Sequence, residues 1–317
     1  MSNTVLVVTE VNDPTADLVI RELNNRQVSV VRIDPGDFPN HARASVFFTD
    51  GGMSGVLSGS TRSTDIAAVR SVYWRRPSAY RAPESLDARD QAWVVDQSRW
   101  GFGGLLARVP KALYVNHPWR NRDAESKPAQ LAAANSAGFT IPPSLVTNDP
   151  ERAREFVTAN APVVYKPLWR GDYHADDGSG RVIWVRRVVL EELDESVSGA
   201  AHLFQAEVDK EADIRLTAVG PELFAVRIDG APRLDWREDY PLLTYTPLDV
   251  PEHVSTAVRC YLAVFGLEFG AFDFALGRDG TWVFLECNPN GQWGWFGDGT
   301  SDRIAAAIAR KLERGRV

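Results

Sequence analysis

Two acids and an amide near the end of the chain carry the most readable chemistry. The stretch GAFDFALGRDGTWVFLECNPNGQW (Gly270–Trp293) contains Asp279-Gly280, a strong two-residue hairpin signal because both residues tolerate positive φ. Strands paired about that turn set Arg278 against Thr281, Gly277 against Trp282 and, further out, Asp273 against Glu286. Opposed residues share one side of a sheet, about 5 Å apart, and like charges there are destabilising unless a cation sits between them. Alternation adds Asn288 to the same side. The other side carries Phe272, Phe274 and Leu276 against Val283, Leu285 and Cys287, an apolar face for the core. Two carboxylates and an amide oxygen are hard ligands that suit Mg²⁺ or Mn²⁺, with phosphate oxygens completing the shell. A solvated polar face, or a carboxyl pair sharing a proton, fits the same spacing. A turn longer by one residue breaks this register.

Further candidates lie upstream. Lys166 stands among apolar neighbours in VVYKPL (Val163–Leu168), where a lysine either snorkels to the surface or meets a phosphate. The Gly-rich loop that follows (169–180) could fold over phosphates, although Asp172, Asp176 and Asp177 sit oddly there unless a metal is near. Arg170 and His174 are possible phosphate or substrate contacts. In FQAEVD (Phe204–Asp209) an acid follows a strand. Asp213 and Arg215 lie two apart and share a strand face, and Arg237 sits in LDWRED (Leu234–Asp239). Each alone is an ordinary surface charge. Together with the acidic face they outline a basic rim around a phosphate site.

The elements that must position these residues begin with a βαβ unit: a strand Thr4–Val8, a helix Pro14–Asn25 and a strand Val28–Asp34, which favour a parallel sheet. The turn after the first strand lacks Gly-x-Gly-x-x-Gly, so a dinucleotide site loses its main support. Two short strands are expected around Gly51-Gly52, another at Ser71–Trp74, a helix over 87–107 and a strand at Tyr114–Asn116. A boundary is placed near 118–125. A helix from Ser126 to Ala137 has Pro128 in its first turn and Gly138 at its end. A helix to about Ala159, strands at 163–168 and 181–188, helices near 190–197 and 251–265, and a last helix from Ser301 to Arg314 complete the pattern.

Composition narrows the function classes. The chain has 317 residues, with 35 Lys plus Arg against 42 Asp plus Glu, a net charge of −7 that argues against an electrostatic nucleic-acid binder. Its 2 cysteines make neither a disulfide framework nor a zinc cluster. The start has no signal-peptide pattern, and no stretch approaches the roughly 18 apolar residues of a membrane helix. A cytoplasmic protein without nucleic-acid or membrane partners is expected.

The order of these pieces resembles the ATP-grasp superfamily, and within it the graspetide synthetases, the microviridin-type maturases of ribosomal peptides. The segments YWRRP (Tyr73–Pro77), NHPWRNRDAESKPAQLAAANSAGFTIPP (Asn116–Pro143), LDWRED and ECNPNGQW carry the likeness, which spans nearly the whole chain. The resemblance implies an α/β (α+β) ATP-grasp fold with an N-terminal Rossmann-like pre-ATP-grasp domain: 1–120 for that domain, 121–205 for a central subdomain and 206–317 for a C-terminal subdomain with the metal site. It implies that Lys127 and Lys166 contact ATP phosphates, that Gln205, Glu207 and the backbone at Val208 hold the nucleotide's adenine and ribose side, and that Asp273, Glu286 and Asn288 bind Mg²⁺, expected as two ions with Mn²⁺ a substitute. Arg215 would face the γ-phosphate and the acyl group, with Asp213 and Arg237 as further catalytic residues.

The implied reaction phosphorylates a side-chain carboxyl of a precursor peptide bearing a leader and an acidic, Thr-rich core. A Ser, Thr or Lys side chain of the same peptide then displaces phosphate and leaves an ω-ester or ω-amide. The helix at 188–197 would receive the leader, Trp236, Trp293 and Trp295 would line a peptide cleft, and a homo-oligomer, dimer or tetramer, is expected. A ligase for free amino acids or peptide termini shares every nucleotide residue. A non-catalytic peptide- or nucleotide-binding module is disfavoured by the intact Asp273, Glu286 and Asn288.

Overall fold

The computed structural model describes residues 3–169, 173–174, 180–181, 183–231, 234, 236–238 and 240–316. The run β1 (Thr4–Val8) is buried at every position, as a strand covered on both faces must be. Asp13 caps helix α1 (Pro14–Asn25) by accepting from the Ala16 N–H, and Pro14 occupies its first turn. Strand β2 (Ser29–Ile33) returns parallel to β1. Strands β3 (Arg43–Thr49), β4 (Gly52–Ser58) and β5 (Ser63–Asp65) form a separate antiparallel sheet. Strand β6 (Val69–Trp74), helix α2 (Ala88–Leu106) and strand β7 (Leu113–Val115) then complete a parallel sheet of order β2-β1-β6-β7.

Helix α3 (Pro118–Ala124) leads to α4 (Lys127–Ala137), which stops at Gly138 in the left-handed conformation, φ 90°. Strand β8 (Ser144–Thr147), helix α5 (Pro150–Asn160), strand β9 (Val163–Lys166), the two-residue strands β10 (Tyr173–His174) and β11 (Gly180–Arg181), and strands β12 (Arg186–Val188) and β13 (His202–Ala206) follow. Four of these strands form the sheet β12-β9-β13-β8. The expected continuous strand over 181–188 is interrupted: residues 183–185 are not in a strand, between β11 and β12. The expected helix over 188–197 is two short 3₁₀ turns, Leu190–Glu192 and Glu195–Gly199. Asp194 accordingly binds the Ser196 N–H, a local bond that competes with helix continuation.

The second large sheet has the order β16-β15-β14-β17-β18, all antiparallel. Its strands are β14 (Lys210–Val219), β15 (Glu222–Asp229), β16 (Thr244–Leu248), β17 (Phe269–Gly277) and β18 (Trp282–Asn288), with helix α6 (Glu252–Phe265) before β17 and α7 (Thr300–Arg314) after β18. One face packs against α4 and α6 through Phe139, Tyr261, Phe272, Phe274 and Phe284. The Phe139 and Phe284 rings stack with centroids 5.4 Å apart. On the other face α7 packs against α1, and Trp293 is fully buried between them and the sheet. No helix among the described residues is long and apolar enough to cross a membrane.

The hairpin carrying the acids reaches its expected pairing by an unexpected path. The Gly277 N–H bonds to the Thr281 carbonyl at 2.9 Å, so three residues form the loop, with Gly280 at φ 82°. Leu276 therefore faces Trp282, one place off the two-residue register. A bulge between Phe274 and Asp273 restores the shift, and Asp273 faces Glu286 as expected. A bulge sets two residues against one and re-aims the strand. Its consequence corrects the expected apolar face: Trp282 and Phe284 join the core cluster against α4 and α6 with Phe272, Phe274, Leu276 and Cys287, while Val283, though buried, and Leu285 lie outside that cluster. Cys287 is buried, and burial pushes its thiol pKa up, so it is inert as a nucleophile.

Asn116, 1% exposed, joins the N-terminal sheet to the second large sheet. Its Oδ1 accepts from the Glu268 and Phe269 N–H groups at 2.7 and 3.0 Å, and its Nδ2 donates to the Phe269 and Pro289 carbonyls at 2.9 and 3.0 Å. Asn116→Ala strands these buried groups and is expected to cost about 3 kcal/mol or more in chemical denaturation. A loss below about 1 kcal/mol would show that water replaces the amide.

Candidate active site

A cleft of about 770 Å³ opens where the β9/β13 sheet faces the β14/β17/β18 sheet. Its lining gathers residues that are remote in sequence: Lys127 from the start of α4, Lys166 from the end of β9, Gln205, Glu207 and Val208 at the end of β13, Asp213 from β14, Arg237 from the 236–238 turn, Asp273 from β17 and Glu286 from β18. Two other singled-out residues do not line the cleft but touch it: Arg215 lies behind Asp273, and Asn288 lies beside Glu286. Arg170, Asp172, Asp176 and Asp177 of the Gly-rich loop, and Asp235 and Asp239 of LDWRED, lie outside the described residues, as does the side chain of His174.

The centre is the buried acid pair, Asp273 at 5% and Glu286 at 7% exposure. The solvated-face reading therefore does not hold. Each acid is held by cations. Arg215, itself 4% exposed, donates from Nη1 to Asp273 Oδ1 at 2.8 Å. Lys127 Nζ reaches Glu286 Oε2 at 3.1 Å, and Arg237 Nη1 reaches Glu286 Oε1 at 3.1 Å and Asp273 Oδ2 at 3.9 Å. Burial pushes the Asp273 carboxyl pKa up, against the downward pull of Arg215 and Arg237.

The donor set fits a hard divalent cation. Among the described residues no trio of His, Cys, Asp and Glu converges, so a cation site here consists of two carboxylates and Asn288. Asp273 Oδ2 is buried and, among the described residues, accepts no hydrogen bond. Asn288 presents Nδ2 to Glu286 Oε1 at 3.3 Å. Flipping that amide turns its oxygen toward the acids, completing an all-oxygen set of the kind Mg²⁺ takes.

The remaining cleft residues form a graded surround. Lys166 Nζ donates to Gln205 Oε1 at 2.9 Å, and Gln205 Nε2 donates to Ser144 Oγ at 2.8 Å. Desolvation pushes the Lys166 pKa down to about 8; Lys127 and Arg237 add to the fall, and Glu286 and Asp273 oppose it. Glu207 is clamped by Arg187, whose Nε and Nη2 donate at 2.6 and 2.6 Å. Asp213 is held by Lys210 Nζ at 2.6 and 2.8 Å.

Arg187 and Lys210 escaped the sequence reading. Lys210 sits across a register irregularity from Ala212, so alternation from Asp213 places it on the wrong face. Arg187 offers no signal beyond its charge. The tryptophans divide: Trp236 lines the cleft, Trp295 packs on Trp236 and Tyr245 with ring centroids 5.3 and 5.0 Å away, and Trp293 belongs to the core.

With Lys127, Lys166, Arg215 and Arg237 set against Asp273 and Glu286, the centre holds a surplus of positive charge. Such a cleft attracts a polyanion and neutralises charge developing on it.

Comparisons with known proteins agree with this arrangement. The MvdD pre-ATP grasp domain family matches residues 4–122. No curated protein sequence matches the chain. A RiPP-associated ATP-grasp ligase of Chryseobacterium gregarium, solved in complex with ADP and a leader and core peptide, superposes with a TM-score of 0.90 at 26% identity, over 97% of this chain and 95% of that one. The macrocyclase MdnC of Microcystis aeruginosa MRC, bound with precursor peptide MdnA, gives 0.85 at 25% identity over 98% and 99%. The macrocyclase MdnB of the same organism gives 0.79 at 28% identity over 98% and 99%.

The lowered Lys166 pKa makes a test of anion binding. A polyphosphate against Lys166 restores its charge, so above about pH 8 binding takes up a proton. ADP affinity is expected to fall by up to about tenfold per pH unit from pH 8 toward the ordinary lysine value of 10.5, and Lys166→Gln to flatten that profile. Titration calorimetry across the range checks it; a wild-type profile in the variant removes Lys166 from the anion site.

Proposed function

We propose that this chain, an ATP-grasp ligase with an N-terminal pre-ATP-grasp domain, is a graspetide synthetase that closes rings in a ribosomally made precursor peptide. ATP phosphorylates an Asp or Glu side-chain carboxyl of the peptide, releasing ADP. A Ser or Thr hydroxyl, or a Lys amine, of the same peptide attacks the acyl phosphate, loses its proton and expels phosphate, leaving an ω-ester or ω-amide. The observation that carries the reading is the cation-ringed pair Asp273 and Glu286 at the meeting of two sheets, on a fold shared over 97% of the chain with a ligase holding ADP, leader and core peptide.

The residues divide the work as follows. Lys127 and Lys166 hold phosphates; Gln205, Glu207 and the Val208 backbone hold the nucleoside end. Asp273, Glu286 and Asn288 hold Mg²⁺, which supplies charge neutralisation for the transferring phosphoryl group. Arg215 and Arg237 spread that charge further. Asp213, ion-paired to Lys210, is placed to orient the acyl acceptor. A carboxylate is a poor acyl donor because oxide would have to leave, and phosphorylation removes that obstacle. Positioning and charge neutralisation then suffice, with no cysteine nucleophile. The reading carries with it a leader-bearing substrate with an acidic, Thr-rich core, a two-ion Mg²⁺ site that accepts Mn²⁺, and a cytoplasmic homo-oligomer, dimer or tetramer. Its units span 1–120, 121–205 and 206–317.

Incubation with the precursor peptide, Mg²⁺ and ATP should lower the peptide's intact mass by about 18 Da per ring, since acyl transfer through a phosphate is a net dehydration. Reversal by mild base marks esters; base-stable losses mark amides. ATP consumption without a mass change favours ligation of free amino acids. Glu286→Gln should keep the fold and reduce dehydration by about 100-fold or more. Loss of folding in that variant would make Glu286 structural.

A further inference from the structure

A second buried arginine is tied to the acid pair through the segment that follows β18. Arg75, just beyond the end of β6, is 2% exposed. Its Nη2 donates to Gln292 Oε1 at 2.5 Å, and its Nη1 donates to the Asn290 carbonyl. Thr15 Oγ1 donates to the same Gln292 oxygen at 2.7 Å. Behind Arg75 lies Asp13, 2% exposed and 3.9 Å from its Nε; Asp13 is fixed by the Thr9 hydroxyl at 2.8 Å and by its role as the α1 cap. The Gln292 carbonyl in turn accepts from Arg215 Nη2 at 3.0 Å, while Arg215 Nη1 holds Asp273 at 2.8 Å.

Residues 290–292 are thus gripped by two guanidinium groups, Arg75 from the N-terminal parallel sheet and Arg215 from β14. The contact leaves no slack. A Cβ at Gly291 would lie 2.6 Å from Arg215 Nη2 and 2.4 Å from the Ala271 Cβ. Among the described residues the Arg215 Nε has no partner. The Gln292 carbonyl and Asp273 are therefore the two acceptors that fix its plane.

We propose that Arg75 is a positioning residue for phosphoryl transfer: through Gln292 it sets the Arg215 guanidinium, and through Arg215 it leaves Asp273 Oδ2 turned toward the cation. The proposal rests on the nucleotide-and-metal reading of the cleft. Groups that orient a metal ligand from behind typically change metal affinity by about 10–100-fold when removed. The mechanism otherwise gives this corner no role, and Arg75 is not among the described residues that line the cleft.

The test uses the full-length protein and two substitutions at Gln292. Gln292→Glu keeps the oxygen that both Thr15 and Arg75 donate to. Gln292→Leu keeps the bulk and removes it. Arg75→Lys, which cannot span both acceptors, is the matching change on the other side. ADP binding is measured with and without Mg²⁺, alongside thermal unfolding. Metal-free ADP binding is expected to stay within about twofold of wild type in all three variants. The tightening brought by Mg²⁺ should fall at least about tenfold in Gln292→Leu and Arg75→Lys and persist in Gln292→Glu.

Wild-type Mg²⁺ tightening in Gln292→Leu and Arg75→Lys overturns the proposal. So does an equal loss of metal-free binding, which marks a purely structural role. A wild-type protein that binds no ADP at all overturns the nucleotide reading itself, and the proposal with it.

Discussion

Asp273 and Glu286 lie buried on adjacent strands, opposed across β17 and β18. Two carboxylates removed from water repel each other and lose hydration, so a fold that keeps both must supply compensating charge. The compensation comes from three separate places: Lys127 opens α4, Arg215 sits in mid-β14 and Arg237 occupies the turn at 236–238. Each reaches its acid only when its own element is packed. Assembly of the site and assembly of the tertiary structure are in this sense one event. Buried ion pairs are poor devices for stability alone, which makes their concentration here a mark of function.

Under the proposed function, the same charges favour a nucleotide entering together with a metal. A polyanion entering alone meets Lys127, Lys166 and Arg237 but also two acids. A cation entering alone must displace Lys127 and Arg237 from Glu286. Arriving together, the phosphates take over the basic groups and the cation takes over the acids. The lowered Lys166 pKa belongs to this balance, since burial beside other cations disfavours the charged amine and an anion favours it again.

The sequence made the acid pair legible because strand alternation and a hairpin turn are local rules. It did so by two errors that cancel. The loop has one more residue than Asp279-Gly280 implies, and the bulge between Phe274 and Asp273 returns the register by one. The side-chain faces between turn and bulge consequently invert, which is why Phe284 rather than Leu285 enters the core. Elements with strong end signals were also readable: α1 runs Pro14–Asn25, and α4 stops at Gly138. Lys210, Arg187, Arg75 and Gln292 were not, because their partners lie across register irregularities or in distant segments. Trp293 shows the opposite failure. A tryptophan in a polar, Gly-rich motif looks like a binding residue, yet tertiary packing places it wholly between α1, α7 and the sheet.

The run after β18 shows why a motif can be recognisable before its physics is. Asn288 lies beside Glu286 and donates to it from Nδ2; the Pro289 carbonyl accepts from Asn116 and the Asn290 carbonyl from Arg75; Gly291 leaves the backbone room beside Arg215; and the Gln292 carbonyl takes that arginine's second donor. Five consecutive residues therefore answer to four different residues in space, Glu286, Asn116, Arg75 and Arg215. No periodicity could have exposed those demands, because none of them repeats. They meet here because the strand that carries Glu286 and Asn288 leaves its sheet against Asn116 and Arg75, which follow strands of the N-terminal parallel sheet. The backbone groups freed at that exit are buried and must all find partners. Asn116 and Arg75, at the ends of two strands of the N-terminal sheet, supply two of them, so residues outside the described lining of the cleft help to set how its central carboxylate is held.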